Sequence, residues 1–304
     1  MSEAQTTPGL YHPRHWPSWC AVGVLRLVAM LPYRVKLLAG KYCGLLVLRV
    51  ARTRRHVTRT NLRLCFPELD EERRAEMLRE VFIQNGIGLF EIAWAWWASA
   101  DEIDGRYRVE GLEHLHAATA AGRGVVLVGA HFVHLDLCGL MLNQVYPIDV
   151  IYRKNNDPVF EHVVTLGRKR VFRNVLERSD LRNIVRKLRE GRVIWYSPDQ
   201  DYGRGNSVFA PFFGVPASTL TTTAQLARMG RASLCCVFHY RDPATNEYRI
   251  VFRPVSGEFP SGDEVADATL INRLIEAGIR EQPEQYMWVH RRFKTRPAGE
   301  PSLY

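Results

Sequence analysis

Acidic residues are nearly missing from the start of this chain. Between Met1 and Leu64 the only one is Glu3, against Arg14, Arg26, Arg34, Lys36, Lys41, Arg49, Arg52, Arg54, Arg55, Arg59 and Arg63. That imbalance accounts for all of the net charge of +9 and calls for an anionic partner, nucleic acid or a phospholipid surface. The same segment carries Trp16, Trp19, Leu25, Leu27, Val28, Leu31, Leu37, Leu38, Leu45, Leu46 and Leu48, which suits a membrane and excludes a nucleic-acid arm. CxxC pairs are also missing. The six cysteines (20, 43, 65, 138, 235 and 236) show no extracellular framework, and several sit in apolar runs as free thiols do in a reducing compartment. No h-region occupies the first fifteen residues, so no cleavable signal peptide is expected and the body of the protein is expected in the cytoplasm. There is no HExxH, no GxSxG, no GxxxxGK[ST] and no GxGxxG after a strand, which argues against zinc proteolysis, serine-elbow hydrolysis, P-loop phosphoryl transfer and dinucleotide binding.

What is present divides into three parts: a polar stretch 1–15, a basic hydrophobic segment 16–64 and a body 65–304. In the second part, residues 16–33 are mostly apolar between Pro17 and Pro32, with Arg26 in the middle. A spanning helix needs roughly 20 apolar residues, and a central Arg costs about 2.5–3.5 kcal/mol, so this piece is either a marginal span or an interfacial helix. Lys36, Lys41 and Arg49 in the next apolar piece are spaced to snorkel towards headgroups, and the Arg52–Arg63 run places that end in the cytoplasm. Pro67-Glu-Leu-Asp-Glu-Glu opens a helix that continues to Trp97, with a break expected near Gly86 and Gly88 and core positions for Trp94, Trp96 and Trp97.

From Ala100 onward strand and helix signals alternate. Strands are expected at 106–110, 124–129, 148–153, 192–197, 233–240 and 248–254, with an extended stretch at 207–213. Helices are expected at 112–121, from 135, at 158–168, 181–190, 219–229 and 268–281. The alternation argues for an α/β fold with a mixed central sheet flanked by helices.

The body is organised around Gly124-Val-Val-Leu-Val-Gly-Ala130 followed by His131-Phe-Val-His-Leu-Asp136. The apolar run is a buried strand, so His131 leaves it at its C-terminal end, where ligands bind in open α/β sheets. Three readings compete: a His that merely ends a strand, a metal site using His131, His134 and Asp136, and a His–Asp dyad in which the carboxylate holds the imidazole as a general base. Polar groups also follow two other strands, as Tyr152/Arg153 and as Asp199/Asp201, while Arg168 lies in the cationic Leu166-Gly-Arg-Lys-Arg170. Such a gathering is what a shared catalytic edge requires. With no nucleophile elbow, His131 has no covalent partner, and direct attack by an acceptor hydroxyl fits better than a ping-pong route.

The HxxxxD spacing of His131 and Asp136 resembles the signature of glycerolipid-type acyltransferases. A collinear set over essentially the whole chain is similar to the late acyltransferases of lipid A biosynthesis in Gram-negative bacteria, nearest their lauroyltransferase branch. It comprises Tyr11-His-Pro-Arg-His-Trp16, Asn61-Leu-Arg-Leu-Cys-Phe-Pro-Glu68, Tyr196-Ser-Pro-Asp-Gln-Asp-Tyr-Gly203, Ser207-Val-Phe-Ala-Pro-Phe-Phe-Gly214, Leu226-Ala-Arg-Met229 and Pro283-Glu-Gln-Tyr-Met-Trp-Val-His-Arg-Arg-Phe-Lys-Thr-Arg296. The resemblance implies transfer of a fatty acyl group from acyl carrier protein to a hydroxyl on a 3-hydroxyacyl chain of Kdo-lipid IVA, at the cytoplasmic face of the inner membrane. It implies His131 as general base, Asp136 as its orienting carboxylate, and Arg168 and Asp199 as further active-site residues. Where the family commonly has Glu, this chain has Asp136, whose shorter side chain must lie nearer the His. Arg168 and the basic arm suit lipid phosphates, Kdo carboxylates or the acidic carrier protein, and Arg153 is a further substrate-binding candidate. No metal or redox cofactor is expected.

Overall fold

The computed structural model describes residues 9–120 and 122–304. The first eight residues of the polar N-terminal stretch, and Ala121 at the end of the helix expected at 112–121, lie outside the described residues.

Among the described residues a short 3-10 turn (Pro13–His15) is followed by α1 (Trp16–Met30), α2 (Tyr33–Val50), α3 (Arg52–Cys65), α4 (Glu71–Trp97) and the short α5 (Ala100–Ile103). Strands and helices then alternate through β1 (Tyr107–Glu110), α6 (Leu112–Thr119), β2 (Val125–Val128), α7 (Leu135–Val145), β3 (Asp149–Tyr152) and α8 (Pro158–Val171). They continue with β4 (Val175–Glu177), α9 (Leu181–Arg189) and β5 (Val193–Tyr196). A hairpin of β6 (Ser207–Phe212) and β7 (Val215–Leu220) precedes α10 (Thr222–Gly230), β8 (Ser233–Arg241), β9 (Tyr248–Pro254) and α11 (Glu264–Ile279).

Seven strands form one sheet in the order β1-β9-β8-β2-β5-β3-β4, mixed because β8 and β9 run antiparallel while every other pair is parallel. The fold is therefore α/β with a mixed central sheet flanked by helices. Near its centre, β2 explains its own unbroken apolar run. Val126 and Val128 join one core cluster and Val125 and Leu127 another, so both faces of the strand are covered. Each of these side chains is at most 1% exposed, worth about 1.5–3 kcal/mol apiece relative to exposure.

Local sequence departs from the expected elements in four places. Helix α4 is continuous, capped by the Asp70 carboxylate, and does not break at Gly86 or Gly88. Its glycines are contact points instead. A Cβ on Gly86 would collide with the Gly40 and Gly44 backbone of α2, and one on Gly88 would lie 2.6 Å from the Val133 carbonyl. Residues 219–221 are not helical: Val215–Leu220 pairs with β6 across a Phe213-Gly214 turn in which both residues have positive φ, 51° and 77°. Strand β4 is unexpected because three residues carry too little pattern to register. Helix α11 starts at Glu264, capped by Asp263, four residues before the expected 268.

Among the described residues, no helix is long and apolar enough to cross a membrane. At 15 residues, α1 extends about 22 Å against a hydrocarbon core of about 30 Å. Helices α1 and α2 pack along α4, burying Val22, Ala29, Gly40 and Gly44 and leaving Trp16, Val24, Leu27, Met30, Leu38, Tyr42 and Leu46 exposed. Of the tryptophans expected in the core, Trp94 is buried while Trp96 and Trp97 are half-buried, Trp97 beneath the Arg26 guanidinium at 5.4 Å.

Candidate active site

Strands β2, β5, β3 and β4 are parallel neighbours, so their C-terminal ends open on one edge of the sheet. His131 follows β2, Asp199 follows β5, Arg153 follows β3 and Arg178 follows β4. The register pairs Val128 with Tyr196, and three residues beyond each lie His131 and Asp199. Adjacent parallel strands thus bring together two side chains that are 68 positions apart.

Asp199 is completely buried and holds His131 at two points. The ring Nδ1–H donates to Asp199 Oδ1 at 2.6 Å, and the His131 backbone N–H donates to Oδ2 at 3.0 Å. A carboxylate only accepts, so Nδ1 carries the proton and Nε2 is left as the basic nitrogen. Burial pushes the His131 pKa down, but the charge and hydrogen bond of Asp199, with the Asp136 charge behind them, outweigh it and leave the ring above the ordinary histidine value. Burial likewise raises Asp199, yet the His131 charge and the hydrogen bonds from His131 and the Tyr286 hydroxyl hold its carboxyl down at about 2.

The turn itself is clamped from both sides. A Cβ on Gly129 would collide with the Trp195 indole nitrogen, so only glycine lets β2 exit against β5 here. The distant segment 285–287 closes over the other side: Val133 N–H donates to the Gln285 carbonyl, Met287 N–H donates to the His131 carbonyl, and Phe132 bridges to Tyr286.

Asp136 does not orient His131. It stands in the first turn of α7 and accepts from Arg168 Nη2 at 2.8 Å and Nε at 3.3 Å, the arginine reaching in from the last turn of α8. The carboxylate that holds the imidazole is therefore Asp199 rather than the expected Asp136, which holds the guanidinium instead. The reason is geometric: once α7 begins at Leu135, the Asp136 side chain is carried to the helix side that faces α8. Asp201, the other acid after β5, binds Thr295 through its backbone N–H and hydroxyl and is structural.

His131, Asp136, Arg153 and Arg168 line one cleft of about 660 Å³, together with Arg178 and Tyr202 at its rim. One side of its wall is apolar, made by Leu135, Val150, Phe172, Ile184, Trp195 and Leu226, while Asn155, Ser197, Gln200 and Thr222 are among its polar lining. Another hollow, of about 790 Å³ between α2, α4 and the loop after β8, has no histidine among the described residues that line it. Arg178, stacked 5.2 Å over the Tyr202 ring, escapes a reading of the sequence because the three-residue strand that delivers it is too short to recognise. Tyr286 escapes it because nothing local ties residue 286 to residue 199.

A partly apolar cleft lined by a histidine held by a carboxylate and by several guanidinium groups has the chemistry of a base beside a site for apolar and anionic groups. Residues 3–295 match the sequence model of the bacterial lipid A biosynthesis acyltransferases, and the chain belongs to that family. It is an acyltransferase of lipid A biosynthesis. It is 40% identical to the lipid A biosynthesis lauroyltransferase of Escherichia coli K12, over 97% of each chain. It is equally 40% identical to the palmitoleoyltransferase of the same organism, over 96% of each, and 35% identical to a lipid A biosynthesis acyltransferase of Haemophilus influenzae, over 99% of this chain and 97% of the relative. The E. coli myristoyltransferase is more distant, at 28% identity.

Proposed function

We propose that this enzyme moves a fatty acyl group, lauroyl in the first instance, from acyl carrier protein to a hydroxyl of a 3-hydroxyacyl chain on Kdo-lipid IVA. The observation that carries the reading is the His131–Asp199 pair at the mouth of the apolar cleft. His131 Nε2 takes the hydroxyl proton as the oxygen attacks the thioester carbonyl carbon, and Asp199 stabilises the imidazolium that forms. The tetrahedral intermediate collapses by breaking the C–S bond, and the departing thiolate recovers the proton from His131. No acyl-enzyme forms, because among the described residues no nucleophilic side chain hydrogen-bonds the His131 ring. Arg168, fixed by Asp136, sets a positive charge beside the developing oxyanion, while Arg153 and Arg178 face the phosphates or carboxylates of the acceptor. The residues themselves supply the base, the charge and the pocket, so the transfer calls for no metal or redox group.

The same reading puts the enzyme on the cytoplasmic face of the inner membrane, with the exposed apolar side chains of α1 and α2 in the lipid interface and the basic residues against phospholipid headgroups. Equal identity to a palmitoleoyltransferase favours a palmitoleoyl donor as the second reading. Purified protein in detergent, given lauroyl-, palmitoleoyl-, myristoyl- or palmitoyl-carrier protein and Kdo-lipid IVA, tests both. A mass gain of one acyl group that disappears in His131→Ala is the expected result, and the preferred donor sets the chain. Free fatty acid as the sole product would replace transfer by hydrolysis, and full activity in His131→Ala would remove the histidine from the chemistry.

A further inference from the structure

Behind the His131 turn lies a second cluster that the acyl-transfer chemistry does not use. His134 precedes α7, Cys138 lies one turn into it, and His239 comes from β8; they are 0%, 1% and 1% exposed. One ligand atom from each lies within 4.8 Å of the others. The two rings sit 4.9 Å apart, edge to face.

The hydrogen bonding of the cluster is incomplete. His134 Nε2 lies 3.1 Å from the His239 carbonyl, which can only accept, so Nε2 carries the proton and Nδ1 holds a bare lone pair. Among the described residues, that Nδ1 has no partner, nor has either nitrogen of His239. Three orphaned ring nitrogens beside a thiol, all shut away from solvent, are costly unless something occupies the space between them. A ring N–H fixed on a backbone carbonyl with the other nitrogen free is also the arrangement that orients a metal-ligating histidine.

We propose that His134, Cys138 and His239 bind one Zn²⁺ as a structural site. His134 at the N-cap and Cys138 in the first turn of α7 are four residues apart, the spacing that lets two side chains share an ion. Bonds of about 2.0–2.3 Å in a tetrahedral site place ligand atoms about 3.5 Å apart, so the three donors close in by about 1 Å, a movement within side-chain rotation. One thiolate with two neutral imidazoles is a donor set for zinc rather than for magnesium or calcium. A buried water supplies the fourth ligand. Binding removes the Cys138 thiol proton, so the occupied site carries +1, set beside the Glu91 carboxylate and the Arg241 guanidinium that pairs with it at 3.2 Å. The ion bolts the start of α7, which bears Asp136, onto β8, the neighbour of the strand that bears His131. The site holds whether or not the donor and acceptor above are correct.

The test is elemental analysis of the full chain, made without a histidine tag, loaded with Zn²⁺ and dialysed extensively. About one zinc per chain is expected, falling below about 0.2 in Cys138→Ser and in His239→Gln, while Cys65→Ser, a buried thiol outside the cluster, keeps it. Loading wild type with Co²⁺ adds a readout independent of variant folding, a thiolate-to-cobalt charge-transfer band. Wild type that retains under about 0.1 equivalent of zinc would overturn the proposal and leave the nitrogens to buried water. So would zinc that survives in a folded Cys138→Ser, or cobalt bound without the thiolate band.

Discussion

Replacing Asp199 with Asn separates the two carboxylates that a sequence reader would confuse. The substitution keeps the size and removes the charge from a side chain that takes two hydrogen bonds from His131, at 2.6 and 3.0 Å. An asparagine amide that turns its NH₂ toward Nδ1 selects the wrong tautomer, with the proton on Nε2; one that does not still fails to stabilise the imidazolium. Loss of the equivalent carboxylate in a histidine–carboxylate pair costs about 10⁴ in rate, so kcat here is expected to fall by about 10³–10⁴, or about 4–5.5 kcal/mol, with little change in KM. The pH profile gives the second readout. The base must be neutral, so kcat/KM rises with pH through the His131 pKa, which stands above the ordinary histidine value. In Asp199→Asn burial still pushes the ring down and only the weaker Asp136 charge opposes it, so the limb moves to lower pH and the deficit narrows as the pH falls. Asp136→Asn leaves the His131–Asp199 bond intact and loosens Arg168, a loss of about 10–10². The assay is single-turnover acyl transfer across pH for wild type and both variants. The assignment is refuted if Asp199→Asn stays within about tenfold of wild type while Asp136→Asn falls further.

Arg178→Ala should raise KM for the anionic acceptor by about tenfold or more and leave kcat for a neutral hydroxyl acceptor almost unchanged, as steady-state kinetics with both acceptors will show. Gly129→Ala drives a methyl into the Trp195 indole and should cost about 1–3 kcal/mol in denaturant unfolding, with a larger proportional loss of activity because His131 shifts with the turn. Leu27→Glu with Leu46→Glu replaces two side chains that are 67% and 60% exposed, so the fold should tolerate it, while sedimentation with anionic vesicles should drop by about tenfold or more per site. Unchanged vesicle binding would remove α1 and α2 from the interface.

Most of the strands and helices, though not β4 or β7, the burial of β2 and the emergence of His131 at its end were legible from the sequence, because side-chain alternation, caps and apolar runs are local properties. Local reading also found Arg153, Arg168 and Asp199 as polar residues near the relevant strand and helix ends. It could not pair them. Nearness along the chain joined His131 to Asp136, five positions away, whereas the sheet joins it to Asp199, 68 positions away, through the parallel register of β2 and β5. Gly86 and Gly88 looked like helix breaks because propensity counts only the residue itself, but their role is to admit α2 and the His131 turn against α4. The sequence placed His134 with His131 and Asp136 as possible metal ligands, whereas β8 brings His239 beside it. The sequence by itself determined which groups the site can use. Which carboxylate holds the base, and which holds the arginine, was decided by strand register and helix direction, and these follow from packing the whole sheet at once.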